Sequence, residues 1–375
     1  MRKASWIRSP HCSGRLGGDI GAARGDGKSM TKKTIRTMEE LAREIDVSRP
    51  TLSRYFHDPS SVRERTRAKI ETRLATVDYV PNFFAVNLNR KRTRLIGVVI
   101  PHLNDIFQTN LINSVEFAAG QSDYKIIVQN SHNDPQREVA AVETLRSMNA
   151  DGILISPLGQ ASDTAMLRRA EAQLPVMLID SRAAEGAGGF DFVGNDNGQS
   201  IGLLVDYLVR SGHDPVFLPM PPVNMSALER TEAFRAAMAR HGQVGEVLET
   251  GGNGYDWNFE AYGKDVMSAF FAAGRYTRAT VLCASDRIAM GALKAAHDFG
   301  LFPRGKIGDF RIAGHDNDVL TRFLHPGLTT VEQDVPRIAR EAVEILLRRI
   351  ESPRKKGEAP VSRSIPARLV LRESA

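Results

Sequence analysis

Arg49, Thr51, Ser53 and Arg54 lie within the six-residue run 49 to 54, and all four side chains are of types able to donate hydrogen bonds. Set along one helix, they have the chemistry to read a DNA groove. A guanidinium can be bidentate to guanine or grip a phosphate, and a hydroxyl can meet either kind of edge. The residue types do not choose between base and phosphate for Arg49 and Arg54. The competing reading is a helical hairpin whose Arg/Ser face meets only water.

A second set of polar residues stands just after apolar runs: Asn104 and Asp105, Ser156, Asp180, Ser285 with Asp286, and His315 with Asp316. If those runs are strands of a parallel sheet, the set gathers at carboxyl ends, where open α/β sheets bind ligands.

The elements that must position these residues can be read from caps and periodicity. Thr37-Met-Glu-Glu40 is a capping box opening a helix with Leu41 and Ile45 on one face. After the short turn Asp46-Val47, Ser48 can cap a second helix, with Arg49 and Pro50 in its first turn, where proline sacrifices no hydrogen bond. Leu52, Tyr55 and Phe56 give that helix an apolar face, and Ile70, Leu74 and Val77 mark a third helix over Val62 to Val77. Residues 81 to 94, ending in Arg90-Lys-Arg-Thr-Arg94, read as a linker with a short helical possibility.

Beyond the linker, strand-like runs alternate with amphipathic helices. The strands are Leu95 to Ile100, Lys125 to Gln129, Gly152 to Ile155, Val176 to Ile179, Pro215 to Leu218, Thr280 to Ala284 and Arg311 to Gly314. Such alternation predicts two doubly wound lobes with parallel sheets.

Charge is distributed unevenly. Residues 31 to 94 carry 15 Lys/Arg against 8 Asp/Glu, residues 1 to 30 carry 6 against 2, and the remainder carries 29 against 34. A basic head on a mildly acidic body is expected when only the head meets a polyanion. No apolar run approaches the roughly 20 residues of a membrane span. Only Cys12 and Cys283 occur, so a disulfide framework is not expected and a reducing cytoplasm fits. Residues 1 to 30 lack periodicity and a secretory apolar core. They read as a disordered leader, with Met30 as an alternative start. The sequence holds no G-x-x-x-x-G-K-[ST], no G-x-G-x-x-G after a strand and no H-E-x-x-H. Neither a metal, nor a cofactor, nor an enzymatic activity is expected.

Together these residues carry a resemblance over nearly the whole chain. The run from Thr37 to Arg54 resembles the headpiece of the LacI/GalR family of bacterial transcriptional regulators, and Asp78-Tyr-Val-Pro-Asn82 resembles its end. Leu95-Ile-Gly-Val-Val-Ile-Pro101, Gly194-Asn-Asp-Asn-Gly198, Ser226-Ala-Leu-Glu-Arg230, Ala284-Ser-Asp-Arg-Ile-Ala-Met-Gly291, Gly314-His-Asp316 and Leu328-Thr-Thr-Val-Glu-Gln-Asp334 follow in the family's order and spacing.

The resemblance implies an all-α helix-turn-helix headpiece followed by an α/β, two-lobed, periplasmic-binding-protein-like core. It places the headpiece at 31 to 80, a hinge helix at 81 to 93 and the core at 94 to 375. The first lobe takes 94 to 193 and 334 to 361, and the second 194 to 333 and 362 to 375. It further implies a homodimer on a palindromic double-stranded operator in the cytoplasm, associated with the nucleoid.

DNA contacts carried over by position are Thr37, Ser48, Arg49, Pro50, Thr51, Ser53, Arg54 and Asn82. Ala85 stands where a small residue faces DNA, and Leu88 matches a leucine that wedges into the minor groove. In the effector cleft, Arg230 and Asp316 match a guanidinium and carboxylate that take hydroxyls, with Phe107 and Trp257 as aromatic cover. Asn104, Asp105, Ser156, Asp180, Ser285 and Gln333 match other pocket positions. Ser285 replaces the asparagine of many sugar-binding members, and His315 replaces the usual aromatic before Asp316.

The expected function is therefore a regulator, a repressor of a carbohydrate-utilisation operon, switched by a sugar, polyol or sugar acid. The rivals are a sugar-binding protein or an α/β enzyme on the same scaffold, without a regulatory role.

Overall fold

Thr37 opens the first helix as its cap requires: its side chain accepts the Glu40 N–H at 3.1 Å, and Glu40 reaches back to the Arg36 and Thr37 N–H groups. In this computed structural model, which describes residues 32–82, 92–184, 189–251, 257–302, 308–355 and 357–375, that helix, α1, spans Met38–Ile45. It ends at Asp46, which takes the left-handed conformation at φ 56° and turns the chain sharply. The second helix, α2, follows at Arg49–His57, and the third, α3, at Glu64–Leu74.

Ile35, Leu41, Ala42, Ile45, Leu52, Ile70 and Val77 form one buried core beneath the three helices. Glu44 ties the first helix to the third at the rim by pairing with Arg73, and also pairs with Lys33. The third helix stops short of its predicted end. Val77 instead sits in a two-residue strand, β2 (Val77–Asp78), paired in parallel with β1 (Lys33–Thr34). An apolar side chain at helical spacing is buried equally well from that strand, so the periodicity over-ran the helix.

The chain divides into two compact units at residues 89 and 90. The second contains two lobes. In the first lobe, β3 (Leu95–Ile100), β4 (Lys125–Asn130), β5 (Gly152–Ile155), β6 (Val176–Ile179), β7 (Asp191–Asn195) and β12 (Ser362–Ile365) form a parallel sheet in the order β12-β7-β6-β5-β3-β4. Helices cover both faces. One side packs Leu111 and Val115 with Ile338, Ala342 and Leu346, and the other packs Val142, Leu145, Met166 and Leu167. Buried strands of this kind need no alternation, and Leu95–Ile100 is buried throughout.

The second lobe is built on a parallel sheet of β8 (Pro215–Leu218), β9 (Thr280–Cys283) and β10 (Arg311–Ala313) in the order β10-β9-β8. An antiparallel pair, β11 (Thr330–Glu332) with β13 (Arg368–Val370), completes the strands. Its core holds Phe217, Phe234, Tyr262 and Phe310, all fully buried.

Among the described residues the chain crosses between lobes three times: after Asn195, after Glu332 and after Ile365. The last crossing corrects an expected boundary. Residues 362 to 365 pair with Phe192 to Asn195 in the first lobe's sheet, and only the chain beyond them joins the second. Ser362-Arg-Ser-Ile365 is an edge strand with three exposed residues, so nothing apolar announces its lobe.

Candidate functional site

The headpiece presents its second helix by the N-terminus. Ser48 Oγ accepts the Thr51 N–H at 3.3 Å and lies 2.8 Å from Thr51 Oγ1, fixing the start of the helix. Leu52 is buried beneath it, so Arg49, Pro50 and Arg54 are left exposed, with Thr51 and Ser53 half-buried. Neither Arg49 nor Arg54 has a side-chain ion pair or hydrogen bond among the described residues. Thr37 is spent as a cap, though exposed, and Asn82 is exposed and has a partner. Ala85 and Leu88, with Phe83 and Phe84, lie outside the described residues.

In the second unit the predicted polar residues converge on a cleft between the lobes. The second lobe contributes Arg230, 5% exposed, from the helix Met225–Arg240, which Asn224 caps. Its guanidinium donates to Asn197 Oδ1 at 3.1 Å, to the Ala284 carbonyl at 2.7 Å and to Asp316 Oδ1 at 3.3 Å. That Asp316 oxygen also accepts Gln333 Nε2 at 2.7 Å and His315 Nδ1 at 2.8 Å.

Ser200 Oγ stands 2.8 Å from His315 Nε2, and Asn195 donates to Ser200 at 2.9 Å. A bonded line thus runs from the end of β7 to Asp316. Burial, reinforced by the Arg230 charge, holds His315 down to about 4. The neutral ring therefore donates from Nδ1 and accepts at Nε2. Burial works against ionisation of Asp316, yet Arg230, His315 and Gln333 keep its carboxyl below the usual range.

The first lobe contributes Asp105 and Asp180. Asp105 caps the helix Ile106–Gly120 with one oxygen, accepting the Phe107 and Gln108 N–H groups. Its other oxygen reaches across the cleft to Trp257 Nε1 at 2.8 Å and Arg287 Nη1 at 2.9 Å. This pair of bonds is a latch between lobes. Arg287 is held in turn by Glu260 and by the Trp257 carbonyl. Asp180, at φ 69°, accepts Gln108 Nε2 at 3.0 Å and Ser156 Oγ at 3.1 Å. Burial pushes its carboxyl up to about 6. Asp286 accepts Thr330 Oγ1 and the Asp318 N–H, and burial with the Asp316 charge raises it to about 8.

Asp105, Phe107, Asp180, Arg230, Trp257, Ser285 and Asp316 all line the cleft, as expected from the sequence. Three expected residues do not. Asn104 is exposed in the turn before the helix, where its N–H meets His102. Ser156 and Gln333 are buried one layer back, behind Asp180 and Asp316. Ser285 caps the helix Asp286–Asp298 through its hydroxyl.

Sequence reasoning passed over Gln108, Asn224, Asp318 and Arg287, which also line the cleft. The signal for Gln108 was its place one turn after Asp105. That for Arg287 was its position beside Ser285-Asp286, at the carboxyl end of β9. Among the described residues no helix is long and apolar enough to cross a membrane, and no group of His, Cys, Asp and Glu could hold a metal ion.

Comparison with known proteins follows the same division. Residues 96–353 match the family described as periplasmic binding protein domain, and residues 37–82 match that described as bacterial regulatory proteins, lacI family. The HTH-type transcriptional regulator PtxS of Pseudomonas aeruginosa is 28% identical over 351 residues, covering 90% of this chain and 95% of that protein. The ribose operon repressor of Escherichia coli K12 is 27% identical over 322 residues, covering 85% and 94%. Among solved structures, the Lac repressor bound to ONPG in its repressed state aligns with a TM-score of 0.76 at 24% identity, covering 92% of this chain and all of that one.

Proposed function

The chain belongs to the LacI family of bacterial regulatory proteins, with a periplasmic binding protein domain as its body, and from that premise we propose how it works as a regulator. It is a sequence-specific DNA-binding repressor of a carbohydrate-utilisation operon, and it acts in the cytoplasm at the nucleoid as a homodimer on a palindromic operator. The observation that carries this reading is the capped start of α2, which offers two arginines without a partner among the described residues, on a headpiece with its own core. A helix so placed enters the major groove by its N-terminal residues. Ser48, Arg49, Pro50, Thr51, Ser53 and Arg54 form its contact set, Thr37 fixes the preceding helix, and Asn82, Ala85 and Leu88 follow toward the minor groove.

The cleft supplies the switch. A polyhydroxylated effector between Arg230 and Asp316, covered by Phe107 and Trp257, binds both lobes at once. It therefore shifts their closure, and with it the operator affinity, by its differential affinity for the two states. A solute-binding protein has no use for the headpiece, and the relatives above are named as regulators rather than enzymes.

A mobility-shift assay of the full chain against fragments of its own genome tests the reading. A minority of fragments should shift, with an affinity that falls steeply as salt rises. Equal binding to every fragment would overturn it.

A further inference from the structure

Among the described residues, the cleft holds more carboxyl groups than cations. Five carboxyl groups line it, Asp105, Asp180, Asp286, Asp316 and Asp318, against two guanidiniums, Arg230 and Arg287. Both cations are already engaged: Arg230 with Asp316, and Arg287 with Asp105 and Glu260. Even with a proton on Asp180 and another on Asp286, these pairs and Asp318 leave no positive charge over.

Among the described residues, two buried glutamines tilt the same way. Gln108, 2% exposed and lining the cleft, gives its amide nitrogen to Asp180 and leaves Oε1 with no partner. Behind the cleft, Gln333 gives its nitrogen to Asp316 and likewise leaves Oε1 bare. Both donors to Asp180 fall on a single carboxylate oxygen. A buried acceptor without a donor is costly to leave so. The group that relieves it must bring an O–H or N–H.

Taking the cleft as the effector site, we propose that the effector is a hydroxyl- or amine-bearing molecule with no carboxylate or phosphate. Within one sugar skeleton, the cleft selects the neutral or aminated member and rejects the acidic one. The physical reason is that an anion entering here would meet like charge and, among the described residues, only cations already paired with carboxylates, whereas each ligand hydroxyl can donate to Gln108 or an aspartate. This narrows the sugars, polyols and sugar acids expected from the sequence to the first two.

Isothermal titration of the full chain at pH 7.5 against two matched series tests it: ribose, ribitol, ribonate and ribose 5-phosphate, then glucose, glucosamine, glucuronate and glucose 6-phosphate. In whichever series binds, a neutral or aminated member should bind at least roughly tenfold more tightly than its acidic counterpart, the scale of like-charge rejection. An acid or phosphate as the tightest ligand overturns the proposal while leaving the effector site standing. Absence of binding by every member counts against the effector site itself, and the proposal falls with it. Asp180→Asn, which removes one carboxylate at constant size, should narrow the discrimination severalfold. Discrimination unchanged in Asp180→Asn would assign the rejection to shape and overturn the charge argument. Asp318→Asn, which keeps a capping oxygen, is the second variant and carries the same expectation if the first fails to fold.

Discussion

His315 is wholly buried, yet both its ring nitrogens are bonded, one to Ser200 and one to Asp316. His315→Phe keeps an aromatic ring at this position but strips both partners of a bond. Chemical denaturation should show a loss of about 2 kcal/mol, the usual cost of unpairing buried polar groups. If stability is unchanged, the line from Ser200 to Asp316 is incidental.

Asp286 makes a pH prediction. Its folded carboxyl titrates near 8, well above the ordinary 3.8. Between pH 6.5 and 8 the folded chain therefore keeps a proton that the unfolded chain has already lost. Stability must fall as pH rises through this window, by at most about 2 kcal/mol. Asp286→Asn should flatten the slope, and melting curves at the two pH values would read it. The resemblance put Arg230 and Asp316 in one cleft, but not their direct pairing. The bond from His315 to Ser200 was not legible either, because Ser200 lies 115 positions away and only the fold joins them.

At the level of elements, the start of α2 depends on one hydroxyl. Ser48→Ala removes the bond to the Thr51 N–H. It should cost the headpiece about 1 kcal/mol in thermal or chemical unfolding, and an unchanged midpoint would deny the cap its role. Arg49 and Arg54 can be sorted by salt. If either grips phosphate, its change to alanine should lower the salt slope of operator binding by roughly 0.9 for each half-site a protomer occupies and weaken all sequences alike. If it reads a base, the loss should be about 1–3 kcal/mol at one base pair, with the slope kept.

The first two helices of the headpiece could be read because their caps and turn residues are local signals, whereas the paired strands β1 and β2 have none. The strands of the body could be read where they are apolar throughout, as Leu95–Ile100 is. Asp191–Asn195 escaped because it reads Asp-Phe-Val-Gly-Asn, and Ser362–Ile365 because an exposed edge strand has no hydrophobic pattern to show.

For the whole molecule, the central feature is the latch by which Asp105 of the first lobe holds Trp257 and Arg287 of the second. Asp105→Asn keeps the capping oxygen but gives up the charge paired with Arg287. The cleft should spend more time open, and the response of operator binding to effector should shrink severalfold, since less closure free energy is left to couple. A mobility-shift titration with and without effector measures this, and an undiminished response would mean that the latch does not govern closure. That the body has two lobes was evident from the alternation of strands and helices. Their contact across Asp105 was not, because residues 105, 257 and 287 belong to separate stretches of sequence.

The three crossings between the lobes have a consequence for how such a chain can be recombined. The headpiece is one unbroken stretch, so a single junction in the linker suffices to graft it onto another body and change the DNA sequence that is read. Neither lobe has that freedom. To exchange the first lobe intact, breaks are needed near Asn195, Glu332 and Ile365 as well as in the linker. Exchange at the linker can therefore re-address this regulator in one step, whereas replacing one lobe alone needs all of those breaks together, so half of the cleft cannot be renewed without them.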